Sequence, residues 1–289
     1  RYATLVLPGR RARRRLIELL LDEAEARGAM LIPPQATTVG GLPGLLCYSP
    51  RPLADDTVSR RAWFRALRSM DKEAVAQGFP HLQDGDGFGE WDKLAGLLAG
   101  LHQSLASEGH RFADVVKVCR KGLLFDDGKR WEVLGRVQRR SLQLLAQAGL
   151  ADRFETRLAA LESDVAHFTK DLWLISIVEL PGVTRRLIEA SRAVVRPLIH
   201  APARLDDGTD AATVFDAYGL PSTEYWGTTT VPVTDQVLEV QERPVDQAEA
   251  VVNALAGLGG KYSAEEIVLG VHAQSEVVRP VSRMHPTII

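Results

Sequence analysis

The sequence predicts an α/β fold, in which a parallel sheet is interrupted once by a large all-helical insertion. Three observations predict it. Near the start, the apolar run Thr4-Leu5-Val6-Leu7 ends in Pro8-Gly9 and opens at once into a helical pattern, and extended segments follow. Strand, helix and strand in so few residues form a crossover unit, which demands parallel strands. Roughly 110 residues of helical periodicity come next without a convincing strand. From Leu172 the apolar strand-like runs return. The expected organisation is one sheet domain built from residues 1–45 and 171–235. Residues 46–170 form a helical insertion domain, and 236–289 the start of a second, incomplete α/β lobe.

In chain order, residues 4–7 are short, apolar and bounded by Pro-Gly, as a buried strand should be. Residues 10–27 place Leu16, Leu19, Leu20 and Glu23 at spacings of three and four, and Gly28 is a natural C-cap. Met30-Leu31-Ile32 and the β-branched Thr37-Thr38-Val39 favour extended backbone, and Gly40-Gly41-Leu42-Pro43-Gly44 reads as a turn. Helical periodicity covers 56–77, 91–107, 112–124, 129–147 and 152–168, with glycine-rich breaks between them. Strands are expected at 172–178, 193–200, 237–240 and 267–271, and helices at 183–192 and 246–258.

Composition narrows the function classes. The 289 residues are 45% hydrophobic and carry 35 basic against 37 acidic side chains, a net charge of −2. No global positive charge recruits nucleic acid, so any such contact has to come from a local patch. Cys47 and Cys119 stand far apart, which argues against a disulfide scaffold or a structural zinc site and suits a reducing cytoplasm. No apolar run approaches the roughly 18 residues that a membrane helix needs. The N-terminal arginines are followed by no apolar segment of the kind a signal peptide carries. The chain opens at Arg1, and its natural start is expected upstream.

The chemistry-bearing positions start with Pro8, Gly9 and Arg10. A strand, a tight turn and a helix N-terminus form the frame that holds phosphate on backbone N–H groups. Phosphate-binding loops in that place read G-x-x-x-x-G-K-[ST]. Here neither the Lys nor the Ser/Thr is present. Instead, five of the six residues from Arg10 to Arg15 are arginine. Cations at a helix N-terminus oppose its dipole, which points to an anionic partner. The plainer account is a solvated face paired with Glu18 and Asp22.

Leu174-Ile175-Ser176-Ile177-Val178-Glu179 resembles a Walker B strand, with Glu179 in the acid position. Without a P-loop lysine that acid has no triphosphate to act on, and a buried strand ending at Glu179 is the simpler account. His81, His102, His110, His167, His200, His272 and His285 never fall at i, i+4. Asp84-Gly85-Asp86-Gly87 begins like a calcium loop, but Phe88 and Ala95 stand where ligands belong. The one D/E-x-K triplet, Asp127-Gly128-Lys129, lies between helical segments, where Asp-Gly makes a turn. No G-x-S-x-G elbow exists. No catalytic residue, metal site or cofactor is assigned.

The order of these parts is similar to the first motor domain of superfamily-one helicases, a RecA-like (P-loop-type) parallel sheet with a helical insertion. More specifically, the chain resembles the N-terminal helicase-like region of AddB-type, RecC-like subunits of helicase–nuclease complexes. The matching stretches are Val6-Leu7-Pro8-Gly9-Arg10-Arg11-Ala12, Leu31-Ile32-Pro33-Pro34, Gly149-Leu150-Ala151-Asp152-Arg153, Ile199-His200-Ala201-Pro202, Phe215-Asp216-Ala217-Tyr218-Gly219 with Trp226, and Gln247-Ala248. Residues 246–252 and 262–271 resemble the entry into the second motor domain of UvrD-type helicases. An arginine position there reads His272-Ala273.

The resemblance implies a scaffold that processes broken DNA ends with a nucleotide-hydrolysing AddA-type helicase subunit. In that family a PD-(D/E)XK nuclease domain lies at the C-terminus, beyond the stretch matched here. The missing P-loop residues imply no ATP hydrolysis by this chain. Expected DNA contacts, to a single strand or a duplex end, are Arg10, Arg11, Arg13 and Arg14. Trp226, if exposed, would stack on a base; a buried tryptophan is the plainer expectation. Two other functions compete: an active nucleotide-binding enzyme that uses the arginine run in place of lysine, and an inert structural fragment.

Overall fold

The apolar N-terminal run forms strand β1 (Ala3–Leu7) in the computed structural model, which describes residues 3–82, 87–122, 127–163, 168, 170–205, 208–230, 238–263 and 266–270. Beside it lie β2 (Gln35–Thr38) and β3 (Asp171–Ile175), and β4 (Val195–Leu198) completes the sheet among the described residues. The order is β2-β1-β3-β4, and every pair is parallel. Register places Val6 opposite Thr37 on one side and Leu174 on the other. Pro197 sits in β4, an edge strand, where its missing N–H costs no interior ladder bond. Helix α1 (Arg10–Ala26) joins β1 to β2. The α/β class and the parallel sheet are therefore as the sequence predicts.

Alternation along the strands puts Val6, Leu172 and Leu174 on one face. There they are buried together with Leu42 and Leu46 of the turn and short helix α2 (Pro43–Leu46) that follow β2. Leu187 and Ile188 of the helix Gly182–Ser191, which joins β3 to β4, close that core. The opposite face carries Leu5, Trp173 and Ile175, all half-buried. Helix α1 buries none of its residues fully.

Between β2 and β3 the chain is helical: α3 (Asp56–Arg68), α4 (Lys72–Gly78), α5 (Phe88–Ser107), α6 (Phe112–Arg120), α7 (Gly128–Gln147) and α8 (Arg153–Glu162). The helix joining β3 to β4 is α9 (Gly182–Ser191). The single helix expected over 56–77 is two, because Asp71 caps a new one by accepting from the N–H of Ala74 at 2.7 Å. The helical core centres on Trp63, Leu67, Phe112, Val133 and Val137, all buried.

Gly78 is where α4 closes onto α7. A Cβ there would lie 2.7 Å from Cγ1 of Val133, a rotamer-restricted, fully buried side chain. Gly78→Ala is expected to destabilise the fold by about 1–3 kcal/mol through overpacking, measured by denaturant unfolding.

The helical part packs on the sheet layer through Ala106, Leu158 and Val183. The Glu108 carboxylate accepts from the N–H of Gly182 at 3.2 Å, setting a negative charge at the start of α9. All of this lies in one compact unit, Arg1–Gly227. It also holds a 3-10 turn (Ala211–Val214) and helix α10 (Thr223–Trp226).

A second unit spans Thr228–Ile289, and its described residues contain one α-helix, α11 (Pro244–Gly257). The strands expected at 237–240 and 267–271 are absent among the described residues 238–240 and 267–270; Val237 and Val271 lie outside those described. Both segments are apolar, but neither pairs with another strand among the described residues, and Val240 and Val268 are exposed. His272 and Ala273 also lie outside the described residues.

Candidate functional site

The carboxyl ends of β1 and β3 lie side by side, since Val6 pairs with Leu174. The sheet order reverses at that point, β1 connecting to β2 on one side and β3 to β4 on the other. In open α/β sheets the crevice outside such a switch point is the usual place for a ligand. The structure brings two of the predicted segments to this edge. Pro8, Gly9 and Arg10 leave β1 there, and residues 176–179 leave β3.

Only Pro8 and Gly9 separate the end of β1 from the start of α1. A phosphate-binding loop runs four residues between its glycines, so that several N–H groups converge on one phosphate. Two residues cannot fold into that cradle. Gly9 has φ −159° and ψ 174°, extended backbone open to any residue, and a Cβ there would meet nothing within 4 Å. What remains is a helix N-terminus with no side-chain cap and no acidic residue in its first turn.

The arginines of α1 are exposed. Arg15 reaches Glu18 at 3.4 Å, and at the far end Arg27 pairs with Glu23 at 2.5 Å. Arg10, Arg11, Arg13 and Arg14 have no carboxylate partner among the described residues, and Asp22 neutralises none of them. The solvated-face account expected pairing with Glu18 and Asp22, and of the two only Glu18 is used. Four uncompensated cations thus stand near the positive end of a helix dipole, and the two in its first turn, Arg10 and Arg11, cost about 0.3–1 kcal/mol each, which a bound anion would relieve.

Glu179 is not at a strand end. Strand β3 stops at Ile175, and Ser176 turns the chain with φ 51°, a left-handed conformation that is uncommon outside glycine. Its N–H still reaches the Leu198 carbonyl at 2.8 Å, but Glu179 lies beyond the turn and is exposed. The expected buried strand through Glu179 is therefore shorter by four residues. Trp226 is 38% exposed. Its indole N–H donates to the Val214 carbonyl at 3.2 Å, and its ring meets Tyr225 edge-on at 5.0 Å. Those contacts fix the ring and leave part of it open to solvent.

Asp127-Gly128-Lys129 begins α7 rather than lying on a strand. Asp84, Gly85 and Asp86 lie outside the described residues. No group of three or more metal-ligating side chains gathers among the described residues. The Cys47 thiol donates to the Pro43 carbonyl at 3.0 Å, and burial pushes its pKa up, against nucleophilic use. No helix among the described residues is long and apolar enough to cross a membrane.

Sequence reasoning missed a buried polar network in the helical part. His102, 1% exposed, sits on α5 between Asp152 and Gln138. Its Nε2 is 3.1 Å from Asp152 Oδ1, and its Nδ1 is 2.9 Å from Gln138 Nε2. The Gln138 amide N–H donates to Nδ1, and the imidazole donates its Nε2–H to Asp152. Asp152 also accepts from the N–H groups of Phe154 and Glu155 at 2.9 and 2.8 Å, capping α8. The network is fully enclosed and holds three helices together. The visible signal was Asp152 directly before a helical pattern; its partner His102 is 50 residues away, and His102 in turn meets Gln138 across 36, separations that spacing does not reveal.

Comparison with models of known protein families finds no match, and comparison with curated proteins finds none either.

Proposed function

We propose that this chain is a catalytically degenerate, helicase-like scaffold: the N-terminal part of an AddB-type subunit that binds DNA and an AddA-type motor partner during DNA end processing in the cytoplasm. One observation carries this reading. Four arginines with no carboxylate partner among the described residues crowd a bare helix N-terminus at the switch point of a parallel sheet. The chemistry of that edge suits a phosphate backbone held by charge. It does not suit a nucleotide held by a loop, because the two-residue turn leaves no cradle and Glu179 is off the strand. The parallel sheet with a helical insertion agrees with a RecA-like domain.

The test is equilibrium binding to single-stranded and blunt duplex-end DNA across a salt series, with and without Mg-ATP. The expected result is binding with a steep salt slope that ATP leaves unchanged. ATP turnover would replace this reading with an active nucleotide-binding enzyme. Absence of binding to either DNA would leave a structural fragment.

A further inference from the structure

A groove between α3 and α5 carries a second set of groups that point to nucleic acid. It has a volume of about 750 Å³ and is lined by Arg60, Arg61, Phe64, Arg65, Phe88 and Asp92, among others. Phe88 is 72% exposed, and its ring lies 4.9 Å from that of Phe64. An aromatic side chain this open, braced from behind by a second ring, offers a ready stacking face.

The charges around it are unbalanced. Asp92 is occupied by Arg60, whose Nε and Nη2 donate to its two oxygens at 3.0 and 2.6 Å. Gly96, one turn further along α5, leaves room for that guanidinium, since a Cβ there would stand 3.4 Å from Cζ. Asp56 is occupied by Arg153 at 3.0 Å. Arg61 and Arg65 are exposed and have no partner among the described residues. Being four residues apart on one helix, they stand on the same face about 5–6 Å apart at Cβ.

We infer that this groove binds a single-stranded nucleic acid segment, with a base stacked on Phe88 and the backbone phosphates on Arg61 and Arg65. The inference rests on the DNA-binding reading above and adds to it a site separate from α1. A duplex keeps its bases stacked on one another, so an open ring is of use only to an unpaired base. A phenyl ring offers no hydrogen bond, so the contact tolerates any sequence. An acidic peptide would satisfy the arginines but leave the ring without a role.

The experiment is fluorescence anisotropy of the whole chain with an oligothymidylate of about 20 nucleotides. Phe88→Ala should weaken binding by about 5- to 150-fold, the span measured for loss of one base–aromatic stack, and Phe88→Trp should restore it. Arg61→Ala/Arg65→Ala should lower the salt slope by about 1.4. All three side chains are exposed, so thermal midpoints should stay at the wild-type value, which excludes misfolding as the cause. An oligonucleotide with abasic positions should bind as poorly to the wild type as oligothymidylate does to Phe88→Ala. Wild-type affinity in Phe88→Ala, or equal affinity for polyglutamate, overturns the groove. If the groove variants bind normally while arginine variants of α1 do not, the groove is wrong and the scaffold reading stands. If the wild-type chain binds no oligonucleotide, the scaffold reading falls and takes the groove with it.

Discussion

Replacing Arg10, Arg11, Arg13 and Arg14 together by alanine is expected to reduce DNA affinity by roughly 10²–10³-fold at about 0.1 M salt. The magnitude follows from counterion release. Each phosphate neutralised on a single strand adds about 0.7 to the salt slope, so four contacts contribute about 2.8. The fold should not suffer. All four side chains are exposed, and none has a carboxylate partner to strand among the described residues. Removing cations from a helix N-terminus relieves opposition to the dipole, so α1 should become more stable by about 0.3–1 kcal/mol for each of the two first-turn arginines, Arg10 and Arg11. Loss of binding with an unchanged or higher unfolding midpoint is therefore the expected pair of results. An unchanged salt slope would show that the run is only a solvated face.

Asp152→Ala is expected to destabilise the protein by about 2–4 kcal/mol, the largest stability effect of any single change considered. Three donors lose their acceptor at once: the His102 Nε2–H and the N–H groups of Phe154 and Glu155. The imidazole is then left buried against Trp63, Phe112 and Phe154 with an unpaired donor. Asp152→Asn should lose much less, because the side-chain oxygen still accepts and asparagine is as good an N-cap.

The pH dependence follows from the same carboxylate. Burial pushes the Asp152 pKa up, but the His102 hydrogen bond and the two backbone donors outweigh it and hold the group below its ordinary 3.8. A carboxyl whose pKa is lower folded than unfolded stabilises the protein above the unfolded value. That stability disappears as pH falls through the folded one. Denaturant unfolding should therefore show wild-type stability dropping on acidification below about pH 4, and a shallower drop in Asp152→Asn. Identical acid profiles would remove Asp152 from the account.

The legible and illegible parts of this chain divide along the range of the interactions. Residues 4–7 were readable as a strand because an apolar run bounded by Pro-Gly is a local signal. The helices over 91–107 and 129–147 were readable because their apolar spacing is local too. The end of β3 was not, since Ile177 and Val178 continue the apolar pattern while the left-handed turn at Ser176 diverts the chain. The strands expected at 237–240 and 267–271 looked right by composition. A strand, however, exists only with a partner, which a local pattern cannot supply. Of the candidate site, the arginine run and its place after a strand were plain in the sequence. The two-residue length of the turn, which decides between cradle and bare helix end, follows already from the expected bounds 4–7 and 10–27, and β1 ends and α1 begins at those same residues. The α3–α5 groove depends on Phe88 meeting Phe64 across 24 residues, and no spacing announces that.

The most direct test of the central claim is amide hydrogen exchange over residues 8–15, recorded for the chain alone, with single-stranded DNA, and with Mg-ATP. The account predicts slowed exchange in this segment with DNA and none with ATP. Slowed exchange with ATP and none with DNA would contradict it and restore a nucleotide site at the end of β1.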